Sequence, residues 1–240
     1  DLQMTRDFFM DEHRVLGKLN KTRDLRIPNV YTAALLEDLS DHSFDEERAP
    51  LYKGLWQQVV FKNSNSKMDL EIGTGNGTFF RHRASAHLDR NLIGVEIKYK
   101  PLIQTIRGCL REQLTNAKVI RYHALALAHV FGEQEVDDIF IHFPDPWTSP
   151  RKPKNRVLQS SVLQQLFKIQ KPSSHLFFKT DSLEYFEFAL EELQHTPYKL
   201  LNCTRDYHAS EFAKGSFITQ FEGIFLKKNM KINFFELLRP

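Results

Sequence analysis

The stretch from Met68 to Phe80, Met-Asp-Leu-Glu-Ile-Gly-Thr-Gly-Asn-Gly-Thr-Phe-Phe, restricts what this chain can fold into more than any other. A short apolar strand breaks into glycines at alternate positions, Gly73, Gly75 and Gly77, and a helical pattern begins near Thr78. Glycine supplies the positive φ and the missing Cβ that let a backbone lie flat against a ligand just ahead of a helix N-terminus. Any tight strand-to-helix turn can use glycine, so the neighbouring residues decide. Glu71 stands on the strand before the first glycine, and Asn91–Ile97 reads as a second buried strand closing on Glu96. That is close to the ~20-residue offset at which an acid meets a ribose diol in nucleotide folds. Either carboxylate could serve only a cap or turn. An acid closing an apolar parallel strand, however, lies at the carboxyl edge where open α/β sheets bind ligands.

The spacing G-x-G-x-G departs from the G-x-G-x-x-G of dinucleotide binders, and the turn lacks the Gly-Lys-Ser/Thr of a phosphate loop. With acids rather than bases beside it, the turn suits a donor that has no phosphates and carries a positive sulfonium. S-adenosylmethionine is the expected cofactor, held through Glu71, Gly73, Gly75 and Glu96.

Downstream the pattern alternates. Helices are expected at about 76–87, 99–114, 157–170 and 183–193, and strands at 91–97, 119–122, 136–142, 175–179 and 198–203. Residues 217–238 read as β-rich, with Lys227-Lys228-Asn229 as a turn between antiparallel strands. The expected fold is α/β: a Rossmann-like, doubly wound, mainly parallel sheet with an antiparallel C-terminal hairpin. Residues 1–49 read as an N-terminal arm with one short helix at 31–39, and 50–240 as the domain. The domain would open on a helix at 50–62 that turns Leu51, Leu55, Trp56, Val59 and Val60 inward.

With 240 residues, 41% hydrophobic, the chain is long enough for one such domain and short for two. No stretch approaches a membrane span, no signal-peptide pattern opens the sequence, and Cys109 and Cys203 lack metal-ligand spacing. The expectation is a cytoplasmic protein without a metal, monomeric or homodimeric. A net charge of +3 is too mild to identify an acidic partner, so local charge must carry that argument.

Phe143-Pro-Asp-Pro-Trp147 follows the apolar strand at 136–142, and proline on both sides fixes the backbone around Asp145. Its carboxylate could serve merely as a turn residue, but its place across the crevice from the glycine turn favours a role in the site. From Pro146 to Thr180 the chain carries Arg151, Lys152, Lys154, Arg156, Lys168, Lys171 and Lys179 and no Asp or Glu. Four of these bases fall within Arg151–Arg156, where a phosphate backbone could be gripped.

Asp69–Gly77, Gly94–Ile97, Asn116-Ala117, Phe143–Trp147 with its basic tail, Thr180-Asp181 and Thr219-Gln-Phe-Glu222 together resemble the bacterial-type tRNA (guanine-N7-)-methyltransferase family, over about residues 50–238. The glycine turn is common to many methyltransferases; the Phe-Pro-Asp-Pro-Trp turn with the terminal Thr-x-Phe-Glu is specific. The resemblance implies methyl transfer to a guanine N7 in the tRNA variable loop, with Asp145 catalytic. It implies a donor site of Glu71, Gly73, Gly75, Glu96, Ile97, Asn116, Ala117, His123 and Asp145. It also implies tRNA contacts from Ser149, Arg151, Lys152, Asp181, Thr219, Gln220, Phe221 and Glu222. Two positions depart from the pattern: His123 stands where the family usually has Asp, and Ser149 where it commonly has Lys. Rival readings are a weak or inactive protein that binds donor and tRNA, and a methyltransferase acting on a small molecule or protein. A nicotinamide oxidoreductase is disfavoured by the glycine spacing.

Overall fold

Short apolar runs alternate with amphipathic helices along this chain, and that alternation builds βαβ units with the helices on both faces of a sheet. The structure, a computed structural model, describes residues 14–26, 29–149 and 153–240. Its strands are β1 (Ser43–Phe44), β2 (Lys67–Ile72), β3 (Arg90–Val95), β4 (Ala117–Ile120), β5 (Ile139–His142), β6 (His175–Thr180), β7 (Lys199–Thr204) and β8 (Asn233–Leu238). The helices are α1 (Val30–Ala33), α2 (Thr78–Ala86), α3 (Tyr99–Arg111), α4 (Ser160–Ile169), α5 (Leu183–Leu193) and α6 (Gln220–Lys227). All the strands join one sheet in the order β1-β4-β3-β2-β5-β6-β8-β7, parallel except for β8, which is antiparallel to β6 and β7.

The chain winds outward from β2 through β3 and β4, then returns to start β5 on the other side of β2. Between β2 and β5 the strand order reverses, which leaves a crevice at their carboxyl ends. Side chains alternate across the sheet. Met68, Leu70 and Ile72 of β2 join Ile139 and Ile141 of β5 in the larger core cluster. Phe80, Leu92, Val119 and the α3 residues Leu102, Ile103, Ile106 and Cys109 form a second cluster. Burying each of these large α3 side chains contributes about 1.5–3 kcal/mol, which explains why α3 is held firmly against the sheet.

Three local expectations are corrected. Residues 217–238 do not form two strands: β8 pairs with β7 and β6, while Gln220–Lys227 is helical. Phe217, Phe221 and Phe225 recur every fourth residue, a helical spacing, and Thr219 and Glu222 form a reciprocal capping box at the start of α6. The helix expected at 50–62 is instead a short turn at Ala49–Tyr52 and a wide one at Trp56–Phe61. Only Trp56 of its apolar residues is fully buried, with Nε1 donating to the Val130 carbonyl at 2.9 Å, whereas Leu51 is 72% exposed. The stretch read as an N-terminal arm is, where described, built into the domain, because β1 pairs with β4 at the sheet edge. Arg121, just past the end of β4, fastens it: its guanidinium donates to Glu46 Oε2 (2.7 Å) and to the Asn20 carbonyl (2.7 Å), and also to the Ile97 carbonyl (3.1 Å). Among the described residues, no helix is long and apolar enough to cross a membrane.

Candidate active site

The carboxyl ends of β2, β3 and β5 and the segment after β4 enclose a cavity of about 470 Å³. Its floor is the glycine turn. Gly73 (φ +81°) and Gly75 (φ +54°) lie in the left-handed region, and a Cβ on either would point into open space. Gly77 (φ +78°) is left-handed as well, and a Cβ there would in addition come within 2.5 Å of the Thr105 side chain. Glu96, just past the end of β3, holds the turn in place: Oε2 accepts from Gly75 N (3.0 Å) and Oε1 from Lys98 N (2.9 Å). Glu96 lines the cavity, and each oxygen has acceptor capacity beyond its one backbone donor, as a carboxylate receiving ribose hydroxyls would need. Burial raises the Glu96 pKa, against the lowering effect of those N–H donors.

Glu71 lies deeper, at 2% exposure, and its Oε2 has no hydrogen-bond partner. Burial and then the nearby Glu96 push its pKa well above the usual carboxylate range. A buried acid with an orphaned oxygen is costly unless a ligand completes it, and a cationic ligand relieves both the missing bond and the repulsion. The donor set therefore fits S-adenosylmethionine on physical grounds.

After β4, the cavity wall is made by Tyr122, His123 and Ala124, with Ile97 opposite. His123 Nδ1 accepts from Leu125 N at 3.2 Å, and burial, then Arg14, lowers its pKa, so it presents a neutral ring where an acid was expected. Asn116 and Ala117 are not brought to this cavity. They lie at the amino end of β4, the opposite edge of the sheet, where Asn116 Nδ2 donates to the carbonyls of Ala84 (3.0 Å), His87 (3.1 Å) and Arg90 (2.9 Å). The structure makes Asn116 a brace for the chain between α2 and β3, while Ala117 packs in the second core cluster.

The Phe143–Trp147 turn forms the opposite lip. Phe143 (φ 51°) and Trp147 (φ 46°) are both left-handed, a conformation that costs bulky residues about 1–3 kcal/mol and gathers at functional sites. Arg156 fixes the turn by donating from Nε to the Pro146 carbonyl at 2.7 Å, while it ion-pairs with Glu184 and packs over Tyr185 and Phe188. Asp145 is exposed and lines the cavity across from the glycine turn.

Thr219 and Phe221 reach the cavity from α6, Phe221 at 57% exposure, and Gln220 Oε1 accepts from Asn76 Nδ2 of the glycine turn. Glu222 does not reach it. Its fully buried carboxylate accepts from Lys179 Nζ (3.1 Å), His208 Nε2 (2.7 Å) and Thr219 N (3.2 Å), so its acceptor capacity is already engaged. Asp181 and Ser149 lie outside the lining, and Arg151 and Lys152 lie outside the described residues. The basic run is also smaller than its count suggests. Arg156, Lys171 and Lys179 are paired with Glu184, Asp137 and Glu222, whereas Lys154 is exposed.

Sequence reasoning missed His142 and Phe79, which both line the cavity. Their rings meet edge to face at 4.4 Å. The signal that could have found His142 is a polar residue ending an apolar central strand, the same signal that picked out Glu71 and Glu96.

Comparison with known proteins agrees with this geometry. Residues 65–235 match the family model Methyltransf_4, described as a putative methyltransferase. The chain is 50% identical over 205 residues to a tRNA (guanine-N(7)-)-methyltransferase of Bdellovibrio bacteriovorus, covering 85% of this chain and 98% of that protein. It is 33% identical over 192 residues to the enzyme of that name from Clostridium novyi, covering 80% and 88%. Among solved structures, the 16S rRNA methyltransferase KamB superposes with a TM-score of 0.59 at 13% identity, over 78% of this chain and 94% of that one, a likeness of fold.

Proposed function

Because this chain belongs to the tRNA (guanine-N7-)-methyltransferase family, we propose that it transfers the methyl group of S-adenosylmethionine to N7 of a guanine in the variable loop of tRNA. The observation that carries the reading is a single cavity that joins an orphaned, buried Glu71 and the glycine turn on one side to the constrained Asp145 turn on the other.

S-adenosylmethionine, when bound, supplies a methyl group made electrophilic by its sulfonium. The N7 of guanine has an in-plane lone pair and needs no deprotonation, so the chain's task is positioning and electrostatics rather than base catalysis. As the N7–C bond forms and the C–S bond breaks, the positive charge moves from sulfur onto the base and S-adenosylhomocysteine leaves. The exposed Asp145 carboxylate faces the space where that base must lie, and it can both accept from the N1–H and N2–H₂ donors of guanine and stabilise the incoming charge. Those contacts would disfavour adenine, which offers no matching donors. Glu222 takes no part in base recognition in this reading, since its oxygens are engaged inside the protein. Phe221, exposed at the mouth, offers a face on which a base extruded from the tRNA core can stack. The substrate places the reaction in the cytoplasm.

Incubating the purified protein with donor and tRNA lacking N7-methylguanosine, then digesting to nucleosides, tests this directly. N7-methylguanosine, mapped to the variable loop, is expected. Binding of tRNA and donor without turnover would support the non-catalytic alternative, and methylation elsewhere would reject the assignment.

A further inference from the structure

Glu71 Oε2 and His142 Nδ1 are both buried side-chain atoms without a hydrogen-bond partner, and both residues line the same cavity. The two come from strands that are neighbours across the point where the sheet order reverses. In the parallel register Glu71 stands opposite Phe140, so His142 lies two residues further toward the carboxyl edge and on the same face. The ring contacts agree: Phe79 of α2 meets Phe140 at 5.2 Å and His142 at 4.4 Å, whereas Ile139 and Ile141 enter the core cluster on the opposite face. Two polar atoms left unsatisfied together at one crevice are rare in a folded protein and call for a shared partner.

We propose that His142 belongs to the donor site, where its imidazole and the Glu71 carboxylate together receive the α-ammonium of the methionine moiety. This rests on the reading of the cavity as the S-adenosylmethionine site. An ammonium carries three N–H donors and no acceptor, and it can satisfy a carboxylate and an imidazole nitrogen at once. The chemistry of the surroundings supports an acceptor role for the ring. Burial, then the charge of Lys179 next to it on β6, hold the imidazole neutral, and the tautomer with its proton on Nε2 presents Nδ1 as an acceptor. Lys179 does not compete with the ligand's cation, because its Nζ turns to Glu222 at 3.1 Å and is matched there. Glu71 supplies the negative charge, and His142 supplies a second, neutral contact that fixes the direction of the ammonium.

The test is calorimetric titration of the parent and His142→Phe, which keeps the ring packing on Phe79 but removes the acceptor. Two ligands are compared: S-adenosylhomocysteine, which carries the amino-acid head, and 5′-methylthioadenosine, which lacks it. Loss of one charge-assisted hydrogen bond weakens S-adenosylhomocysteine binding by about ten-fold or more and leaves 5′-methylthioadenosine unchanged. Equal affinities of parent and variant for S-adenosylhomocysteine, or an equal loss for both nucleosides, would overturn the assignment. If His142→Phe does not fold, His142→Leu is titrated with the same two ligands and the same outcomes. A parent protein that binds neither nucleoside would instead reject the donor-site reading itself, so the two failures are distinguishable.

Discussion

The backbone N–H of Gly75 donates to Oε2 of Glu96 at 3.0 Å, so the carboxylate proposed to receive the donor's ribose also holds the turn on which the donor is proposed to lie. Recognition and architecture are coupled in one side chain. Glu96→Ala should therefore lose more affinity than the ribose bonds alone would account for, by about ten-fold or more in the dissociation constant for S-adenosylmethionine. Isothermal titration checks this, and an unchanged constant would remove Glu96 from the site.

Glu71 predicts a trade between stability and binding. Its folded pKa is raised, by burial first and Glu96 second, so the folded state keeps a proton that the unfolded chain has already released. Stability without ligand must then fall as pH rises from the ordinary carboxylate range toward the raised value, and stay low above it. Glu71→Gln removes the charge, so it should raise the ligand-free melting temperature by about 2–4 °C at pH 8, gain less at pH 5, and weaken donor binding. Melting curves at both pH values decide; a gain equal at the two would contradict the account.

Glu222 should behave as a structural residue. Glu222→Ala leaves Lys179 buried without its counter-charge and breaks the capping box of α6, a loss of about 3–5 kcal/mol. Thermal unfolding should show it before any tRNA is added. A variant that unfolds like the parent but no longer binds tRNA would restore the substrate role that the family resemblance suggested.

How much of this was legible in the sequence follows from how far apart the interacting residues lie. Glu71, Gly73 and Gly75 sit in one short stretch, and Glu96 closes the next strand, so their meeting at one crevice could be read from spacing. The alternation of strands and helices gave the doubly wound sheet for the same reason. The internal engagement of Glu222 was not legible because its partner Lys179 is 43 positions away, and Arg156 was counted with the basic run because Glu184 is 28 positions away. Asn116 was placed at the donor because a motif match does not say which end of a strand it occupies; β4 begins at Ala117 and reaches the cavity only beyond Ile120. His142 ends an apolar strand as Glu71 does, but its unsatisfied nitrogen is a property of packing and emerges only when the strands are laid side by side.

The basic segment after Trp147 should grip the tRNA backbone. Neutralising Arg151, Lys152 and Lys154 together should weaken tRNA binding and lower the slope of log affinity against log salt by roughly two to three, with donor affinity unchanged. Equal slopes in parent and variant would make the run a solvated face. Neutralising Arg156 instead should unsettle the Phe143–Trp147 turn, because its Nε holds the Pro146 carbonyl.

The most direct measurement is the single-turnover rate of N7-methylguanosine formation by the parent and Asp145→Asn, at saturating tRNA and donor. Asp145 is exposed on a turn held by Arg156, so the substitution should leave the melting temperature near the parent's. A charge-assisted bond felt only in the transition state is worth ~1.5–3 kcal/mol, and its loss should slow the step about 10- to 150-fold. An Asn variant that forms N7-methylguanosine at the parental rate would contradict the central claim that the Asp145 turn is the catalytic side of this cavity.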